Sequence, residues 1–184
     1  MHRQMIWGKK MALVIVDPQR KFTLDIPDWD TRMSEAIRGI NSFSEVFRRN
    51  GAPVILISFD GKSHTGYSGA DENEWLPGLK VEESDIVVHK MHMNCFKETD
   101  LEKVLRDTGS DCVLLAGMLT EYCVMTTYFA AAERGFYPFL AKDSTICYDP
   151  RGNEAAEIIC SIVDTDTVDR FLKGEQPEVD LDSL

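Results

Sequence analysis

Val113-Leu114-Leu115-Ala116-Gly117-Met118-Leu119-Thr120-Glu121-Tyr122-Cys123 runs on into Val124 to Gly135, where Val124, Tyr128, Ala131 and Ala132 recur at helical spacing. A continuous apolar run closed by a glycine reads as a strand buried on both faces, and spacings of three and four read as a helix. The stretch is therefore strand, tight turn and helix, with a thiol where the helix begins. With Thr120 as N-cap, Cys123 falls at the third helical position, where unpaired N–H groups and the positive end of the helix dipole favour an anion. Such a position draws a cysteine below its free pKa of about 8.5 and makes it a nucleophile. Unpaired cysteines also pack as small buried hydrophobes, so this segment alone leaves both roles open.

The rest of the chain repeats the alternation. Met11 to Val16 is an apolar strand closed by Asp17-Pro18-Gln19. From about Thr31 to Asn50, Met33, Ile37, Ile40, Phe43 and Phe47 mark an amphipathic helix that Asp30 or Thr31 caps and Gly51 ends. Pro53 to Ser58 is the second strand, and Ile86 to Val88 the third, with Lys90 just past its end. Thr99 with Glu102 spells a capping box for a helix reaching about Gly109. Cys112 to Ala116 is the fourth strand and Thr120 to Arg134 its helix; Tyr137 to Ala141, ending at Lys142-Asp143, is the fifth strand. A helix starting between Asp149 and Glu154 is expected to bury Ala155, Ile158, Ile159 and Ile162. Asp166 to Val168 reads as a last edge strand, and the acidic tail 173–184 as frayed. Asp60 to Lys80, polar and carrying His64, Tyr67 and Trp75, is a long loop of the kind that usually serves function. Strands alternating with helices imply one α/β domain, core about 11–170, with a doubly wound, mostly parallel sheet and right-handed crossovers.

A net charge of −11 argues against nucleic acid or an anionic membrane as partner, since both require a basic surface. The five cysteines are odd in number and contain no C-x-x-C pair, which suits a reducing compartment better than a disulfide framework or a structural zinc site. The apolar run near the start is too short for a signal peptide, and no run approaches the roughly 20 residues of a bilayer span, so a cytoplasmic location is expected.

In doubly wound sheets ligands bind beyond the carboxyl ends of the strands, near the switch in strand order. Asp17, Lys90 and the Cys123 turn all lie at such ends. Asp17 is placed to take the thiol proton and later activate water. Lys90 is placed to hold Asp17 and to depress the thiol pKa. The backbone N–H groups of Leu119 and Cys123 are placed to bind the oxyanion of a tetrahedral intermediate. Each has a duller role: an Asp after a strand is often a turn-former, and a lone lysine is usually solvated surface.

Asp17-x-Gln19-x-x-Phe22, then Lys90 with Cys95-Phe96-x-x-Thr99-x-Leu101, then Gly117-x-x-Thr120-x-x-Cys123-Val124 with Thr127, Ala131, Gly135 and Asp143, together resemble the isochorismatase-like cysteine hydrolases. The likeness spans about Met11 to Val168. It implies a three-layer α/β/α sandwich around a six-stranded parallel sheet and a catalytic triad of Asp17, Lys90 and Cys123. It also implies a cis peptide between Met118 and Leu119, dimers or tetramers, and no organic cofactor. Family members that hydrolyse the vinyl ether of isochorismate typically lack the thiol, so Cys123 points to the branch that cleaves C–N bonds of small amides, ureides or carbamoyl compounds. Nicotinamidases carry an Asp-x-His metal motif after the second strand. Here Gly61-Lys62 follow Asp60 and His64 comes later, so no metal is assigned, nor to His89 or His92.

Phe22 and Trp75 are candidates for an aromatic wall over a flat small-molecule substrate, and Tyr122 beside the nucleophile for a further contact. Rival readings are an isochorismatase-type vinyl ether hydrolase, a flavodoxin-like binding domain such as a phospho-receiver, or a thiol sensor. A receiver needs an acidic neighbour for Asp17 and an acceptor Asp where Lys90 stands; a sensor needs a resolving cysteine, and none adjoins Cys123 in sequence.

Overall fold

A computed structural model describes residues 8–25, 27–62, 67 and 69–176. Six parallel strands form one sheet: β1 (Lys10–Val16), β2 (Val54–Phe59), β3 (Ile86–Lys90), β4 (Ser110–Met118), β5 (Tyr137–Ile146) and β6 (Ile162–Val163), in the order β3-β2-β1-β4-β5-β6. The order reverses between β1 and β4, so Asp17 and the Cys123 turn leave neighbouring strands at the switch point, where a doubly wound sheet opens a crevice.

The central strands are apolar on both faces because helices cover both. On one face α1 (Trp29–Arg49) and α5 (Thr165–Leu172) bring Ile40, Phe43, Phe47, Val168 and Phe171 onto Leu13, Ile15, Leu56 and Leu114. On the other, α2 (Leu101–Asp107), α3 (Met125–Glu133) and α4 (Arg151–Ile159) bring Leu101, Leu105, Tyr128, Ala131 and Ala156 onto Ala12, Val14, Ile57, Val113 and Leu115. The period-two alternation along β1 sends odd positions to one layer and even ones to the other. Full burial of side chains such as Phe43 or Phe47 contributes about 1.5–3 kcal/mol each.

Several element limits differ from the sequence expectation, each for a local reason. The first helix starts at Trp29 behind a left-handed Asp28, not at an Asp30 or Thr31 cap, because the buried Trp29 extends the apolar stripe by a turn. No capping box forms at α2: the Thr99 hydroxyl donates to the Cys95 carbonyl at 2.5 Å, and Asp100 holds the cap position. β3 includes Lys90, and β4 runs through Gly117 to Met118, so that glycine lies inside the strand. β5 does not stop at Lys142-Asp143; it shifts register, with Asp143 at φ +55°, and continues beside β4 to Ile146.

In α4 the expected burial is overturned. Ala156 and Cys160, four apart, face the core, whereas Ala155 is exposed, Ile158 is 83% exposed, Ile159 is also exposed and Ile162 is half-buried at the sheet edge. The edge strand is Ile162–Val163, and 166–168 lie in α5, whose N-cap Asp164 accepts from the Thr167 N–H at 2.8 Å. Of the acidic tail, Glu175 pairs with Arg170 at 2.8 Å; residues 177–184 lie outside the described part, as does His64.

Candidate active site

Gly117 makes the site possible. Its φ is +104°, and a Cβ there would stand 2.2 Å from the Val16 carbonyl oxygen, so only glycine lets β4 close on β1 where Asp17 departs. The chain then passes a cis Met118–Leu119 peptide and enters a wide helical turn, Thr120–Val124, before α3. Leu119, not Thr120, occupies the cap position, and Cys123 stands a residue further into the helix than expected. The N–H groups of Tyr122 and Val124 return to the Leu119 carbonyl at 3.0 and 3.3 Å.

Two clamps fix this turn. The Thr120 hydroxyl donates to Asn153 Oδ1 at 2.7 Å, and Asn153 Nδ2 donates to the Thr145 carbonyl at 3.2 Å; Glu121 Oε1 accepts from the Tyr148 N–H at 2.6 Å. Asn153→Ala would strand a buried hydroxyl, and is expected to cost about 1–3 kcal/mol in unfolding free energy. Measured turnover should fall through kcat, since the sulfur loses its fixed position.

Asp17, Lys90 and Cys123 meet at one rim. Lys90 Nζ lies 2.7 Å from Asp17 Oδ2 with both side chains fully buried, and also donates to the Met93 carbonyl at 3.1 Å. The Cys123 thiol and the Asp17 carboxylate are close enough for each to shift the other's pKa. Burial pushes the Cys123 thiol up to about 12, the Asp17 carboxylate adds to the rise and the Lys90 ammonium opposes it. The lowered thiol pKa expected from the helix start is thus replaced by a raised one: burial first, and the Asp17 carboxylate after it, outweigh the helix start. Burial likewise raises Asp17 above the usual carboxylate range against the pull of Lys90. Burial also opposes the charge on Lys90, but Cys95, Asp17 and Cys123 around it hold its pKa above the usual lysine range.

A cavity of about 670 Å³ opens in front of the sulfur. Phe22, Phe59, Tyr122 and Tyr148 give it aromatic walls, Leu24, Leu119, Met91 and Met93 fill the rest, and Lys62 and His92 add nitrogen-bearing side chains. Phe22 and Tyr122 thus line it, while Trp75 does not. The Trp75 backbone bridges Gln19 and its ring packs with the layer under α1, so it holds the loop down.

Sequence reasoning missed four residues. Phe59 has its ring centre 5.8 Å from both Lys21 Nζ and Lys90 Nζ, and 5.7 Å from Phe22. Gln19 is buried and its amide ties Ser58 and the Phe59 N–H together. Lys21, a cation inside a turn, is buried with its ammonium on the Phe59 and Gly61 carbonyls at 2.9 and 3.0 Å. Cys95, buried and pushed up to about 11 by that burial, lies close enough to Lys90 for the two to shift each other's pKa. The Asp17-x-Gln19-x-x-Phe22 spacing carried a signal for Gln19 and the Cys95-Phe96-x-x-Thr99 spacing one for Cys95, whereas nothing in the sequence pointed to Phe59 or Lys21.

Among the described residues the donors do not compose a metal site. Asp60 is engaged by His89 at 3.1 Å, His92 by Glu98 at 3.1 Å, and no cluster of three or more ligating side chains occurs among the described residues. No helix among them is long and apolar enough to cross a membrane.

A family profile described as Isochorismatase domain matches residues 11–158. The chain is 28% identical over 153 residues to the secreted isochorismatase effector Isc1 of Verticillium dahliae, covering 80% of this chain and 78% of that protein. It is 24% identical over 187 residues to nicotinamidase 3 of Arabidopsis thaliana, covering 91% of each. The crystal structure of N-carbamoylsarcosine amidase from Thermoplasma acidophilum superposes with a TM-score of 0.72 at 23% identity, over 85% of this chain and 97% of that one.

Proposed function

Because the chain belongs to the isochorismatase family and is a hydrolase, we propose that it cleaves a C–N bond of a small amide, ureide or carbamoyl compound through a thioester on Cys123. The observation that carries this reading is the Cys123 thiol in the wall of an apolar cavity, with the buried Asp17–Lys90 ion pair close enough to shift its pKa. The names of the Arabidopsis nicotinamidase and the Thermoplasma N-carbamoylsarcosine amidase, both amidases, support it.

The steps follow from the proton inventory. Asp17, held basic by burial, takes the thiol proton as sulfur bonds to the substrate carbonyl carbon, so no free thiolate is needed at rest. Charge gathers on the carbonyl oxygen, for which the Leu119 and Cys123 N–H groups are the donors, each worth about 3 kcal/mol where such donors have been removed. The C–N bond breaks as Asp17 returns the proton to the leaving nitrogen, giving thioester and amine or ammonia. Asp17 then takes a proton from water, which attacks the thioester, releases the acid and restores the thiol. Lys90 stays charged throughout and keeps Asp17 aimed at the sulfur. Five free cysteines support a reducing, cytoplasmic setting.

A panel of small amides, ureides and carbamoyl acids, with isochorismate included, tests the reading. Ammonia or amine release from at least one C–N substrate, and an acyl mass on a peptide containing Cys123 after acid quench, are expected. Turnover of isochorismate alone, retained in Cys123→Ala, overturns it in favour of the vinyl ether chemistry.

A further inference from the structure

The cavity before Cys123 is apolar over most of its wall, and only two lining residues, Lys62 and His92, carry ionisable nitrogen. His92 is answered inside the protein by Glu98, whose carboxyl it holds below the usual range. The nearest acid in sequence, Asp60, is already engaged by His89 and by the Ser58 hydroxyl. Among the described residues no carboxylate pairs with Lys62, in a chain with 31 acidic and 20 basic side chains. An unanswered cation on the wall of a catalytic cavity therefore runs against the composition.

Its base is built rather than loose. The backbone that launches Lys62 is pinned by the buried Lys21 ammonium, bonded to the carbonyls of Phe59 and Gly61, and by Gln19 Oε1, which accepts from the Phe59 N–H at 2.7 Å. Both contacts are made by buried side chains to the backbone of the cavity-lining Phe59 and of Gly61, so the root of the side chain is fixed even though Lys62 itself is exposed.

We propose that Lys62 determines specificity by receiving an anionic group, a carboxylate, carried by an amide substrate whose body is small and apolar. The aromatic and thioether walls desolvate the body, and the ammonium meets the charge. Resting on the hydrolase reading above, the proposal deepens it.

The test separates the two. Benzamide, its meta-carboxylate and its meta-ammoniomethyl analogue are titrated into Cys123→Ala with and without Lys62→Ala. The carboxylate is expected to bind about ten- to thirtyfold tighter than the neutral amide, with the cation weakest. Lys62→Ala erases that difference while leaving benzamide binding unchanged, and Lys62→Glu reverses the order. In the otherwise wild-type enzyme the same ratio should appear in KM with kcat retained. Equal binding of the three probes, no binding of any, or a carboxylate preference that survives Lys62→Ala overturns the subsite. Turnover without Lys62 dependence leaves the hydrolase standing and the subsite fallen; charge-selective binding without turnover of any amide does the reverse.

Discussion

Cys123→Ala is expected to lower amide hydrolysis by about 10⁴-fold or more while leaving the thermal unfolding midpoint close to that of the parent protein. The size follows from losing the atom that carries the acyl group, after which only positioning and the oxyanion donors remain. Stability is little changed because the sulfur sits at the wall of a cavity, 8% exposed, and its removal enlarges a space already open. Alkylation against pH provides the sharper check. With the thiol pushed up to about 12, labelling of Cys123 by iodoacetamide should be slow near neutrality and climb without a plateau to about pH 10. Cys123 should still label before the other cysteines, because those are buried and it alone among them lines the cavity. Asp17→Asn should quicken labelling at any given pH, since it deletes the anion that holds the proton on sulfur, and yet slow hydrolysis by about 10³-fold for want of a base. A labelling plateau below neutral pH, or equal labelling in Asp17→Asn, would contradict the proton inventory on which the mechanism depends.

That outcome reverses what the helix start alone leads one to expect, and the reason generalises to the rest of the site. A sequence shows which residues end parallel strands, so Asp17, Lys90 and the Cys123 turn were legible as neighbours once the apolar runs were read as strands. It does not show how deep those ends are buried. Depth decides the sign of the thiol shift, because desolvation and a carboxylate in contact outweigh half a helix-dipole charge at the surface.

Burial also explains the misplaced contacts. Periodicity made 151–159 a helix, but Ile158 and Ile159 were assigned inward from hydrophobicity, whereas the four-residue step from Ala156 to Cys160 is the one that faces the sheet. Residue type suits Trp75 equally to walling the cavity and to packing its loop down; its position is set by backbone pairing with Gln19, which no residue-type argument contains. Phe59 was missed for a complementary reason. It ends β2 one residue beyond the apolar run that Ser58 seemed to close, and there its ring sits between two ammonium groups. Lys21 was invisible because a lysine in a turn is ordinarily solvated, and only three-dimensional closure over the Phe59 and Gly61 carbonyls buries it.

Lys90→Met is expected to cost about 3–5 kcal/mol of unfolding free energy, near half the total of a marginal domain, because it leaves a fully buried carboxylate without its ammonium. Activity should be lost with it, so the single variant does not separate structure from chemistry. The double variant Asp17→Asn, Lys90→Met does: both charges are gone, most of the stability should return, and hydrolysis should not. The pH dependence fixes the cause. Lys90 opposes the rise that burial gives Asp17, so its removal lifts that carboxyl further. A carboxyl whose folded pKa lies above its unfolded value favours the folded state when protonated, and that favour is lost as pH rises through the folded pKa. The stability deficit of Lys90→Met should accordingly be smaller near about pH 5 than near about pH 8. In the double variant, with an amide in place of the carboxyl, the difference between the two pH values should return to that of the parent's other groups. A deficit independent of pH in denaturant titrations would mean that lost packing of the lysine stem, and not an unpaired charge, sets the cost.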